Sequence, residues 1–183
     1  MTERRAPFLY VLVCASGIAP RVSELIAAAQ AEGWRVGVVA TPTALGFIDP
    51  AAIEAQTGYP IRSAWRTPGE PKPLPPADAI AVAPATFNTV NKWAAGISDT
   101  LALGILCEAY GLGTPVAVQP YLNAAQAAHP AYARSLAGLR EMGVLVDEQE
   151  PFGPGTDPAA YRWTGVLDLL RPVLTGTAPE AGL

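Results

Sequence analysis

Side chains able to bind a polar ligand collect where apolar runs stop. Ser16-Gly17 follow the run 8–15, and Thr41-Pro42-Thr43 follow 35–40. Thr86-Phe87-Asn88-Thr89 follow 77–84, and Gln119-Pro120-Tyr121-Leu122-Asn123 close the run 114–119. In an open parallel α/β sheet, ligands lie at the carboxyl ends of the strands, where these hydroxyls and amides would meet. Hydroxyl donors beside helix N-termini, whose orphan N–H groups and dipole favour an anion, suit a phosphate. A nucleotide-like cofactor follows. Taken singly, Ser16, Thr41 and Thr43 read equally well as helix caps, and it is their joint placement that favours a ligand. Asp99, where an Asn/Thr-rich loop meets an apolar helix, reads either as an N-cap carboxylate or as a partner for a ligand hydroxyl. His129, just before Pro130, reads as a helix-boundary residue. Neither G-x-G-x-x-G after the first strand nor a Walker pattern is present, which disfavours dinucleotides and ATP.

The elements that would hold these residues alternate short apolar runs with helical spacing, the order expected of a parallel sheet covered by helices. Residues 8–15 are apolar throughout, as in a strand buried on both faces. Val22, Leu25, Ile26 and Ala29 mark a helix that stops near Gly33. Further strands are predicted at 35–40, 61–65, 77–84, 114–119 and 144–146, giving about six, with a short helix near 50–56. Residues 67–76 hold five prolines in ten positions and must be an extended connection. The spacing predicts helix over 93–110 with a break near 96–99, and again over 124–142. Residues 147–183 form a Pro/Gly-rich loop (150–158), a closing helix (161–174) and a frayed tail.

The chain has 183 residues, which suits one domain spanning 1–183. Half of them are apolar and 15% are charged, a balance suited to a subunit with covered faces. A net charge of −4 with no basic block argues against nucleic acid. No apolar stretch is long enough to span a bilayer, so no membrane partner and a cytoplasmic protein are expected. Cys14 and Cys107 read as small buried hydrophobes, and a single histidine leaves no ordinary metal site.

Residues 84–103, Pro-Ala-Thr-Phe-Asn-Thr-Val-Asn-Lys-Trp-Ala-Ala-Gly-Ile-Ser-Asp-Thr-Leu-Ala-Leu, resemble the P-A-S-A-N-T…G-I-A-D-N-L-L segment of the homo-oligomeric flavin-containing cysteine decarboxylases. That family includes phosphopantothenoylcysteine decarboxylase and the lanthipeptide decarboxylases. Residues 120–130, Pro-Tyr-Leu-Asn-Ala-Ala-Gln-Ala-Ala-His-Pro, resemble its P-x-M-N-x-x-M segment, with Asn123 kept and Leu122 and Gln126 at the methionine positions. The similarity covers about residues 8–146. It implies a Rossmann-like, flavodoxin-type three-layer sandwich that binds FMN and assembles as a trimer or dodecamer with the flavin at a subunit interface. It further implies that Ser16, Gly17, Thr41 and Thr43 hold the phosphate and ribityl chain. Ala85, Thr86, Asn88, Ser98 and Asp99 would lie against the ribityl and ring, and Asn123 would face a substrate carboxylate.

The departures bear on activity. The family's histidine, used as a base shortly before the fourth strand, has no counterpart near residues 70–72, where Glu70 is a substitute base only by position. The late substrate clamp is also unrecognisable around residues 150–158. Three readings remain: a divergent FMN-dependent decarboxylase or oxidoreductase acting on a small thiol or peptide carboxylate, an FMN electron-transfer or reductase protein, and a non-catalytic ligand-binding regulatory subunit.

Overall fold

Six consecutive apolar residues leave a strand no solvated face, and β1 (Phe8–Val13) is buried at every position. The computed structural model describes residues 5–151 and 157–176. Beside β1 lie β2 (Arg35–Ala40) on one side and β3 (Ala79–Ala85) on the other, followed by β4 (Val116–Pro120) and the two-residue β5 (Leu145–Val146). All pairs are parallel and the order is β2-β1-β3-β4-β5. This is the flavodoxin-like doubly wound order, with its switch point between β1 and β3.

The twofold alternation of strand side chains divides the core into two layers. Leu9, Val11, Val13, Val36, Val38 and Ala81 face α1 (Val22–Ala31) and α7 (Gly165–Thr175). Phe8, Tyr10, Leu12, Ile80, Val82 and Val118 face the other side. There α3 (Phe87–Ala94), α4 (Leu101–Leu112) and α6 (Pro130–Glu141) supply Val90, Trp93, Leu106 and Leu139. Helices thus cover both faces, and the fold is a Rossmann-like three-layer sandwich. The short α2 (Pro50–Thr57) packs on α1 and β2, and α5 (Ala124–Ala127) leads into α6.

The sheet has five strands among the described residues, where about six were expected, because residues 61–65 do not form one. Pro60 removes a ladder donor just before them. Only Arg62 joins the sheet, its N–H donating to Val38 O (3.0 Å) and its carbonyl accepting from Ala40 N (2.7 Å). Trp65 then swings out against Gly104 of α4. Helical periodicity also overran its limits. The 93–110 pattern is two helices, α3 beginning earlier at Phe87 because Thr86 caps it. The 124–142 pattern breaks at Pro130, which disfavours a helical His129 and makes that residue the N-cap of α6. The closing helix starts at Gly165, since Tyr161 and Trp163 are spent filling the core from irregular chain. The 150–158 loop lies largely outside the described residues, as does the predicted tail beyond residue 176.

Candidate functional site

The carboxyl ends of β1 to β4 open into one cavity of about 770 Å³. Its wall on the β1 and β2 side is Ala15, Ser16, Gly17, Thr41, Pro42 and Thr43, and on the β3 and β4 side it includes Thr86, Asn88, Lys92, Asp99, Tyr121 and Asn123. Of the residues singled out from the sequence, the structure brings together Ser16, Gly17, Thr41, Thr43, Thr86, Asn88, Asp99 and Asn123. Ala85, Ser98 and Glu70 are not part of the wall.

The β1 and β2 half is a set of uncommitted hydroxyls. Thr41 stands at the N-cap of a 3-10 turn, yet its side chain makes no capping bond, and the turn after Ser16 has no side-chain cap either. The Ser16 hydroxyl oxygen is buried without any hydrogen-bond partner. A buried polar atom left unpaired costs about 1–3 kcal/mol, and this one belongs to a residue of the cavity wall. Ser16, which could have been a simple cap, makes no capping bond.

The β3 and β4 half is more elaborate. Thr86 Oγ1 accepts from Thr89 N at 3.4 Å and so starts α3, which leaves Asn88 exposed on the first turn, beside the cavity. Behind it, Cys14 S–H donates to Thr89 Oγ1 at 3.2 Å, and burial pushes the thiol pKa up, so Cys14 is a neutral support under the floor. Asn123 caps α5 by accepting from Gln126 N at 2.8 Å, which leaves its amide NH2 group to act as donor. Tyr121 follows β4 directly, its N–H held by Ala85 O at 2.8 Å, and burial raises its phenol pKa. That bond occupies the Ala85 carbonyl and explains why Ala85 buttresses the wall from behind.

Asp99 is not the N-cap of α4. Thr100 fills that role, accepting from Leu103 N at 3.3 Å, and Asp99 instead pairs with Lys92 Nζ. Lys92 and Thr100 were not singled out from the sequence, and Tyr121 was quoted only as part of the strand-end segment 119–123. Lys92 sits in the polar cluster 86–92, and its pairing with a residue seven positions on depends on a chain reversal that composition does not announce. Ser98 is exposed beside Gly104. Glu70 stands in the proline-rich connection, where its carboxylate closes a turn by accepting from Thr67 N at 3.0 Å. Those bonds to Thr67 lower its pKa, which weakens it as a base. His129 is likewise committed: Nδ1 accepts from Ala131 N at 3.1 Å and the ring meets Phe87 edge-on.

A cavity of this size, with neutral donors at one end and amides plus an ion pair at the other, fits an elongated cofactor carrying a phosphate. Comparison with known proteins agrees. Residues 2–167 match the Flavoprotein family. The coenzyme A biosynthesis bifunctional protein CoaBC of Escherichia coli (strain K12) is 30% identical over 170 residues, 89% of this chain and 40% of that protein. The CoaBC of Thermococcus kodakarensis is 31% identical over 119 residues, 61% of this chain and 29% of that protein. The chain thus spans less than half the length of these relatives. Among solved structures, the FMN-dependent cysteine decarboxylase TvaF from thioviridamide biosynthesis is 25% identical with a TM-score of 0.75, over 92% of this chain and 98% of that one. The FMN binding protein AtHal3 shares the fold, with a TM-score of 0.73 at 21% identity over 96% of this chain and all of that one. With residues 2–167 matching its model and the fold shared with solved structures over most of the chain's length, this chain belongs to the Flavoprotein family.

Proposed function

We propose that the protein binds FMN across the carboxyl ends of β1 to β4 and acts as a flavin-dependent decarboxylase or oxidoreductase on a small thiol or peptide carboxylate. The observation that carries the reading is the buried Ser16 hydroxyl, unpaired and at the wall of the cavity. Family membership supports it, as do the FMN-dependent cysteine decarboxylases among the similar structures. Ser16, Gly17, Thr41 and Thr43 would hold the phosphate and ribityl chain, and Thr86, Asn88 and Asp99 the ribityl and ring, with Ala85 and Ser98 supporting from outside the wall. The Asn123 amide would donate to a substrate carboxylate. When bound, FMN supplies a two-electron acceptor for a thiol-bearing substrate. The chain's own work is to orient the two partners and to exclude water with Phe87, Leu103 and Leu122.

A second reading, an FMN reductase or electron carrier, is favoured by the character of the wall. Its one carboxylate, Asp99, is already paired with Lys92, and neither Glu70 nor His129 is on the wall. Homo-oligomerisation belongs to the same proposal. α4 is apolar nearly all round, exposes Tyr110 and Leu112, and reaches the cavity through Leu103. A helix of that kind is normally buried on every side, and a second copy would cover it next to the cofactor. A reducing cytoplasm suits the two unpaired cysteines.

The test is FMN titration followed by anaerobic mixing with a peptide ending in cysteine. Loss of CO2 and two hydrogens from the peptide, together with bleaching of the visible flavin band, is the expected result. Bleaching only by a nicotinamide donor would select the second reading, and failure to take up FMN would overturn both.

A further inference from the structure

The charged side chains on the cavity wall are Lys92 and Asp99, and they belong to the β3 and β4 half. Their meeting is built into the backbone. At the end of α3, Gly96 takes φ +70°. Its N–H donates to Trp93 O and the N–H of Ile97 donates to Lys92 O, both at 2.9 Å. These two bonds are a Schellman motif, which folds the chain back over the last turn of the helix. Residues 97–100 therefore run back along α3, and Asp99 arrives beside the ammonium of the residue whose carbonyl anchors the turn. The pair lines the cavity and is not sealed in the core, with side-chain accessibilities of 32% for Lys92 and 47% for Asp99.

The two ends of the cavity differ accordingly. Ser16, Thr41 and Thr43 follow β1 and β2 and bring only neutral donors. Lys92 and Asp99 follow β3, with Asn123 and Gln126 after β4. Three strand spacings, roughly 14 Å, separate the ends of β2 and β4. A phosphate seated on the hydroxyls would leave the ring system of the same molecule to extend toward Lys92. Uptake of two electrons and one proton by a flavin leaves one negative charge on that ring, and charge near the ring is the protein's lever on its redox balance.

We propose that Lys92, oriented by Asp99, supplies the positive charge that balances the reduced flavin, so that this pair sets how much more tightly the cavity binds reduced than oxidised cofactor. The inference rests on the FMN reading above. Paired, Lys92 and Asp99 are neutral overall and suit the uncharged oxidised ring. When the ring becomes an anion, the ammonium protons not used by Asp99 are available to it, while the carboxylate tempers the attraction.

The experiment measures dissociation constants under anaerobic conditions for oxidised and dithionite-reduced FMN, and for both forms of riboflavin, which lacks the phosphate. It uses the full chain and the variants Lys92→Met, Lys92→Arg and Asp99→Asn. Lys92→Met is expected to weaken reduced FMN about tenfold more than oxidised FMN, with the same differential for riboflavin. Lys92→Arg, which keeps the charge, should hold the reduced-to-oxidised ratio within about threefold of the parent. Asp99→Asn should move the ratio the opposite way, favouring the reduced form, because it removes the competing carboxylate. An equal loss for both redox forms in Lys92→Met overturns the proposal, and so does an effect confined to FMN and absent with riboflavin, which would make Lys92 a phosphate ligand. A parent protein that takes up neither flavin overturns the FMN reading, an outcome distinct from a parent that binds flavin with a ratio indifferent to Lys92.

Discussion

At the scale of single residues, Ser16 separates stability from binding most cleanly. Its hydroxyl is buried and makes no bond within the protein, so Ser16→Ala removes an unsatisfied atom and leaves thermal stability unchanged or slightly higher. The same change should weaken FMN by about tenfold, the worth of roughly one hydrogen bond, as read by quenching of flavin fluorescence. A drop in melting temperature with unaltered FMN affinity would show the hydroxyl to be structural. The residues that follow strands were legible because strand ends in such a sheet converge wherever the helices go, which is why Ser16, Thr41, Asn88 and Asn123 share one cavity. Asp99 shows the limit of that reasoning. Its place before an apolar helix suggested a cap, but whether residue 99 or 100 caps is settled by a single residue of phase, and Thr100 won the bond.

At the scale of elements, the approach of α7 to the end of β4 and β5 depends on one missing side chain. A Cβ on Gly165 would lie 1.8 Å from Asp147 Oδ2 and 2.5 Å from its Cγ, so the Asp147 side chain would have to swing away and disturb its 3.0 Å contact with Arg162. Gly165→Ala should therefore cost about 1–3 kcal/mol, measured as a lower urea midpoint. Combining it with Asp147→Ala should recover part of the loss, since the two changes share one clash. β1 and β2 were readable to within a residue or two because an unbroken apolar run is the mark of a strand covered on both faces. Residues 61–65, Ile-Arg-Ser-Ala-Trp, were not, because a short mixed stretch after a proline looks like a strand whether or not a neighbour is free to pair with it. Helix limits at Phe87, Pro130 and Gly165 were set by a capping threonine, a proline and a core that needed two aromatic rings before the helix could begin.

At the scale of the whole molecule, two predictions follow from what is covered and what is not. Tyr110 and Leu112 stand out from α4 with exposures of 69% and 74%. The double variant Tyr110→Lys, Leu112→Lys should shift the mass seen by light scattering to that of one chain, and a parent that is already a monomer would refute the proposed assembly. The second concerns alkali. Burial raises the pKa of Tyr10, Tyr121 and Tyr132, the last to about 12, and that of Tyr161 well above its usual value. The folded chain then holds protons that the unfolded chain releases near pH 10. Stability is fully present below that pH and is lost as pH rises through the folded values. Phenolate absorbance should accordingly show a cooperative rise coincident with loss of helical circular dichroism, and a smooth titration with the fold intact would contradict this packing.

The neutral lining after β1 and β2 has a consequence for how an anion is held there. Attraction between fixed opposite charges fades as electrolyte is added, with screening over about 8 Å at 0.15 M, whereas short hydroxyl and amide contacts barely respond. A phosphate gripped at that end should stay bound in concentrated sodium chloride, and whatever ionic-strength dependence remains would report on the far end of the crevice alone.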